Sequence, residues 1–182
     1  MKGKQIFLSP RSYILQRAQS LPIIECLVET DYKRLGITNV VIFRREPGGK
    51  YTVGAFCVDM FCLGIKYAFC NCHLDEEAYE KLKKSFQSGP LEVSPVYAHN
   101  LIYGAMDYAE ELGFLPHKDF AFAEKVLDPA LVDEGINEIE FGHNGKPLYC
   151  QGPNDNPKKI ISHLNEFVGK GNYDFMMMAD EY

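Results

Sequence analysis

The run Val58-Asp59-Met60-Phe61-Cys62-Leu63-Gly64-Ile65-Lys66 places an acid, a thiol and an amine inside otherwise apolar sequence. A charge buried there needs a partner. Two readings fit. In one, Asp59 holds a metal or activates a water and Lys66 stabilises an anion; in the other, Asp59 caps a new helix and Lys66 pairs with an acid at the rim.

Other residues suited to chemistry lie further along. His99 borders the apolar stripe of a long helical pattern, beside Tyr103 and Met106, where it is either a general base or a satisfied boundary histidine. His117 and Asp119 follow on the exit loop Leu115-Pro116-His117-Lys118-Asp119-Phe120, the kind of segment that often carries site residues. Were Asp59, His99, His117 and Asp119 to converge, two imidazoles and two carboxylates would suit a divalent metal that lowers the pKa of a water. Arg44 and Arg45 alternate faces at a strand end. With Lys33, Arg34 and Lys50 they form a basic patch able to meet phosphates, diluted by Asp31 and Glu46.

Weaker signals can be set aside on spacing. Cys70-x-Cys72-His73 resembles part of a zinc site, but such sites separate paired cysteines by about two to four residues and no second pair lies near, so a thiol cluster at the core edge is expected. Gly169-Lys170-Gly171 is too short for a phosphate loop, and no Gly-x-Ser-x-Gly occurs. Met176-Met177-Met178 reads as a core or partner plug.

The elements that must position these residues are written in caps and turns. Ser9-Pro10 opens a short helix to Gln19. Leu21 to Thr30, Thr38 to Arg45 and Tyr51 to Asp59 read as strands, the last two a hairpin turning at Pro47-Gly48-Gly49. After Asp59, Phe61, Ile65 and Phe69 fall four apart, as do Cys62, Lys66 and Cys70, which predicts a change from strand to helix. Leu74-Asp75 staples and caps a helix with the stripe Ala78, Leu82, Phe86, stopped by Gly89-Pro90. Ser94-Pro95 opens the long helix, which Gly113 ends. Asn144-Gly145 predicts a hairpin with Phe141 opposite Leu148 and Ile139 opposite Cys150, and Asn156-Pro157 opens a last helix that Gly169 stops.

This pattern predicts an α+β fold across residues 1–182, with antiparallel β-hairpins forming a sheet packed with about four to five helices as one layered domain. The 182 residues carry 19 Lys+Arg against 25 Asp+Glu, a net −6 that disfavours a protein gripping nucleic acid or an anionic membrane by bulk charge. The charge is divided: residues 1–20 hold four bases and no acid, while Asp119 to Glu140 holds seven acids against Lys125. No aromatic-basic pattern for RNA accompanies the basic patch. The start lacks an apolar signal run, and the most apolar stretch, Tyr51 to Cys72, is interrupted by Asp59 and Lys66; a cytoplasmic protein with six free thiols is expected.

The segments LPIIECLV, VDMFCLGIK, AHNLIYGAMDYAEELGFLPHKDF and IEFGHNGKPLYCQGP resemble a family of uncharacterised bacterial proteins, over about Leu21 to Tyr173. The resemblance implies a bacterial, cytoplasmic, single-domain protein and carries no activity or site residue. Two functions follow from the residues themselves. One is an interaction or ligand-binding regulatory domain recognising a protein or small molecule around His99, Tyr103, His117 and Asp119. The other is a metal-dependent hydrolase, acting on a phosphoester, with Asp59, Lys66, His99, His117 and Asp119 at its centre.

Overall fold

A computed structural model describes residues 8–133 and 138–177. The bases Lys2 and Lys4, the acid Glu134 and the tail from Met178 lie outside the described residues. Four of the expected N-caps form: the side chains of Ser9, Asp75, Ser94 and Asn156 accept the backbone N–H of Ser12, Ala78, Tyr97 and Lys159. They open α1 (Pro10–Arg17), α3 (Glu76–Lys83), α4 (Pro95–Glu111) and α6 (Pro157–Phe167). The single turns α2 (Tyr32–Leu35) and α5 (Phe120–Ala123) complete the described α-helices.

The sheet comprises β1 (Ile23–Glu29), β2 (Ile37–Arg45), β3 (Tyr51–Asp59), β4 (Gly64–Leu74) and β5 (Pro90–Glu92), in the order β4-β3-β2-β1-β5. Every pairing in it is antiparallel, so the fold is α+β. Strand periodicity sends alternate residues to opposite faces. On the inner face, Val28, Val40, Ile42, Phe56 and Val58 pack against Leu101, Ile102 and Ala105 of α4, with α5 alongside. On the outer face, Leu27, Val41, Phe43, Val53 and Ala55 meet Tyr79 and Leu82 of α3 and the following Phe86. A smaller cluster joins Leu164 of α6 to Cys62, Leu112 and Tyr149. No described helix is long and apolar enough to cross a membrane.

Two expected elements are corrected. The helix after Asp59 is instead a tight turn followed by β4, the strand at one edge of the sheet. A spacing of four is a multiple of two, so residues four apart share a face in a strand as well as in a helix. The diagnostic feature is the alternation beyond it: Tyr67, Phe69 and Asn71 are exposed, while Ala68 and Cys72 between and after them are buried. Gly64 makes the reversal feasible. Its φ of +65° suits glycine, and a Cβ there would stand 2.6 Å from the Ala109 Cβ and 2.9 Å from the Ala105 carbonyl oxygen.

The last hairpin keeps only its turn. Asn144 and Gly145 have φ of 51° and 76°, bridging His143 to Lys146. The arms then separate, because Gly142 N–H donates to the Met60 carbonyl and Leu148 N–H to the Phe61 carbonyl. The β3–β4 turn thus takes the bonds the arms would have exchanged. β6 (Leu148–Cys150) pairs in parallel with β7 (Asp174–Met176). Met176 and Met177 are exposed, so neither is a core residue.

Candidate binding groove

The residues singled out in the sequence occupy different parts of this fold. His99 is fully buried at the start of α4, its Nδ1–H donating to the Pro95 carbonyl at 2.6 Å and its Nε2 accepting the Asp128 N–H at 3.0 Å. Both ring nitrogens are engaged, and burial holds the imidazole below its ordinary pKa, in the neutral form. It is a satisfied core histidine. Nearby Tyr103 donates its hydroxyl to Glu124 at 3.0 Å.

Arg44 is also a correction: it is buried and carries no exposed basic patch. Its Nε donates to the Val126 carbonyl at 2.6 Å and its Nη1 to the carbonyls of Gln19 and Leu21, fastening β2 to the segments after α1 and α5. Arg45 points the other way, lying over the Tyr51 ring at 4.3 Å and donating to the Gly49 carbonyl. The alternation of faces at the strand end removes one of the pair from any phosphate.

Asp59 is buried, and its Oδ1 accepts the N–H groups of Phe61 at 2.9 Å and Cys62 at 3.0 Å. It caps the β3–β4 turn, not a helix. Burial raises its pKa to about 6, against the pull of those N–H groups and of Lys66. His99 does not join it: Gly64, which pairs with Asp59 across the hairpin, packs on Ala105, and His99 lies six residues, about 9 Å, back along α4. Asp119 is exposed, 3.6 Å from His117 Nδ1. Among the described residues no group of three or more His, Cys, Asp or Glu can hold a metal ion, so the expected four-ligand set does not assemble.

Two predicted residues do come together. Lys66 and His117 line one cleft of about 490 Å³, with Ile37, Cys57, Tyr67 and the 152–155 loop. Lys66 Nζ donates to Asp155 Oδ2 at 2.9 Å, and that oxygen also accepts Gly152 N–H at 2.7 Å and the Tyr149 hydroxyl at 3.4 Å. This fulfils the rim-pair reading of Lys66. His117 is fixed by its own N–H donating to the Ile65 carbonyl, its ring 5.4 Å from that of Tyr67.

This cleft is one part of a longer depression. A second cleft of about 340 Å³ shares Ile37 and Cys57 with it and extends to Glu29, Asp31 and Ser88. A third, of about 220 Å³, shares Tyr67 with the first and Asn39 with the second, and reaches Phe69 and Phe86. The register explains the alignment: Asn39 pairs with Cys57 and Cys57 with Tyr67, while Leu27 opposite Val41 sets Glu29 next to Asn39. Glu29, Asn39, Cys57 and Tyr67 therefore form a row across four strands of the outer face.

At the β1 end, Glu29 is only 8% exposed. It accepts Gln87 N–H at 3.3 Å, Ser88 N–H at 3.0 Å and the Ser88 hydroxyl at 3.0 Å. The Ser88 hydroxyl and Arg34 hold the neighbouring Asp31 carboxyl below its ordinary pKa. The sequence reading missed Glu29, Asn39, Cys57, Tyr67 and Asp155. Once β4 is a strand, two-residue alternation places Tyr67 on the same face as Glu29, Asn39 and Cys57, so the helical assignment of β4 hid Tyr67 and with it the end of the row.

Comparison of the chain with family models, with curated proteins and with solved structures finds no match.

Proposed function

We propose that this protein is a binding module of the bacterial cytoplasm whose recognition surface is the open part of the outer sheet face. The observation that carries the reading is incomplete cover. α3 and Phe86 shield the Phe43 and Val53 side of that face, while Ile37, Tyr67 and Phe69 stay 38%, 52% and 37% exposed over three merging clefts. Contiguous apolar and aromatic surface rimmed by polar groups is characteristic of binding sites. The surface differs from the one expected around His99, Tyr103, His117 and Asp119, of which His117 alone borders the groove.

Chemistry by these side chains is less well supported. Burial raises the pKa of the Cys57 thiol, which leaves little thiolate to act as a nucleophile. Lys66 is held as an ammonium beside Asp155, which suits it to binding an anion and not to acting as a base, and Asp59 is committed to the turn. Six free cysteines suit a reducing compartment.

The test is a fragment screen by ¹H–¹⁵N correlation spectroscopy on the full chain. Aromatic fragments are expected to shift the amides of Asn39, Cys57, Tyr67 and Phe69 together. Shifts confined to the α4 or α6 surface, or none at all, would overturn the proposal.

A further inference from the structure

Resting on that binding reading, we infer that the groove's ligand is a short peptide of about four residues, held through its free amino and carboxyl ends. The two ends of the groove offer opposite chemistry. At the β1 end stand acceptors. Glu29 is more than nine-tenths buried, and its charge meets only the amide and hydroxyl donors of Gln87 and Ser88, with no cation paired to it among the described residues. Asp31 lies beside it in the same cleft. Two carboxylates with one paired arginine leave this end in want of a cation, and a primary ammonium can donate to both.

At the β4 end stand donors. Lys66 Nζ carries three N–H groups, and Asp155 takes one of them. His117 Nδ1 accepts the Asp119 N–H at 3.3 Å, which leaves Nε2 to carry a hydrogen as the ring's donor. Asp155 keeps its bonds from Gly152 and Tyr149 if Lys66 is shared with an incoming carboxylate. A peptide carboxylate therefore fits here without stranding the resident acid.

The distance between the ends fixes the length. From β1 to β4 is three strand spacings, about 14 Å. An extended chain covers about 3.3–3.6 Å per residue, so about four residues reach from one end to the other. Between them, the Asn39 side chain stands in the row to meet backbone amides, and the rings of Tyr67 and Phe69 offer faces to an apolar or aromatic side chain. A free diamine would satisfy only the first end and an isolated anion only the second.

The experiment titrates the full chain with the peptide Ala-Phe-Ala-Ala in four forms: free, N-acetylated, C-amidated and capped at both ends, read by ¹⁵N shifts and calorimetry. The free form is expected to bind most tightly, each single cap weakening it by about tenfold, the size of one charge-assisted contact. Glu29→Gln should abolish the penalty for acetylation and keep that for amidation, and Lys66→Gln should do the reverse. Should Glu29→Gln fail to fold, Asp31→Asn at the more exposed carboxylate provides the same comparison. Equal binding of all four forms at the groove amides would overturn end recognition and leave the binding surface standing. So would sensitivity to one cap alone, or groove shifts from aromatic fragments with none from any peptide. Absence of groove shifts from fragments and peptides alike would overturn both proposals.

Discussion

The two faces of the sheet are made of similar residues and meet different fates. α4 runs 17 residues, about 25 Å, and contacts β1, β2, β3 and β4, so Val28, Val40, Ile42, Phe56 and Val58 beneath it are completely buried. α3 runs eight residues, about 12 Å, and cannot shield a five-stranded sheet about 19 Å wide. Phe56 and Phe69 show the contrast on neighbouring strands, one at 0% and the other at 37% exposure. Helix length thus divides the labour of the sheet. The inner face is core throughout, while the outer face is core only beneath α3 and Phe86 and leaves the rest of its apolar surface free to recognise something.

The sharpest way to break this comparison is to truncate one ring on each face. Phe56→Ala removes a ring from the buried cluster, where it packs near Phe120, and is expected to lower unfolding free energy by about 3–5 kcal/mol. Phe69→Ala on the outer face should lower it by about 1 kcal/mol or less. Urea denaturation of both variants measures the difference, and comparable losses would mean that the open part of the outer face around Phe69 is core as well.

A second, smaller effect separates a buried group that is fully satisfied from one under electrostatic tension. Asp59 has its folded pKa raised to about 6, so the native state takes up a proton more readily than the unfolded chain. Its contribution is therefore most favourable below its unfolded pKa and is lost as pH rises through about 6. Asp59→Asn keeps an oxygen to accept from Phe61 and Cys62 and removes the charge. Relative to the parent, this variant should gain about 2–3 kcal/mol of stability between pH 4 and pH 7. His99 acts with opposite sign, since its lowered pKa makes stability fall as pH drops below the unfolded histidine value. Subtracting the two unfolding curves at each pH cancels His99 and isolates Asp59. A flat difference would show that Asp59 is solvated and that the turn is loosely built.

How much of this was legible in the sequence depends on the range of the forces involved. The caps Ser9, Asp75, Ser94 and Asn156 bond to N–H groups three residues away, and so the starts of α1, α3, α4 and α6 could be read locally. The β2–β3 hairpin was legible for the same reason. β4 was not, since the four-residue spacing of Phe61, Ile65 and Phe69 is common to both periods. Nor was the burial of Arg44, whose carbonyl partners at Gln19, Leu21 and Val126 lie far away in sequence. The last hairpin failed because the competing acceptors, the Met60 and Phe61 carbonyls, come from a turn some 80 residues earlier. Of the site, Lys66 and His117 were visible as chemistry. The groove joining them was hidden, because it is defined by the part of a sheet that a short helix leaves uncovered.

The smallest expected stability change tests the comparison most directly. Tyr67 is the most exposed aromatic residue in the groove, at 52%, touching the rings of Phe69 and His117 from the open side. Tyr67→Ala removes surface that is already half in water, so it should change unfolding free energy by about 0.5 kcal/mol or less. A recognition surface gives its rings a different role, since a ring that stacks on ligand contributes only when ligand is present. The same variant should therefore weaken binding of free Ala-Phe-Ala-Ala by about tenfold while leaving the penalties for acetylation and amidation intact, because those arise at Glu29 and Lys66. Denaturation and calorimetry on one preparation measure both quantities. A large loss of stability with unchanged affinity would reverse the assignment, making Tyr67 a packing residue and leaving the outer face no more specialised than the inner one.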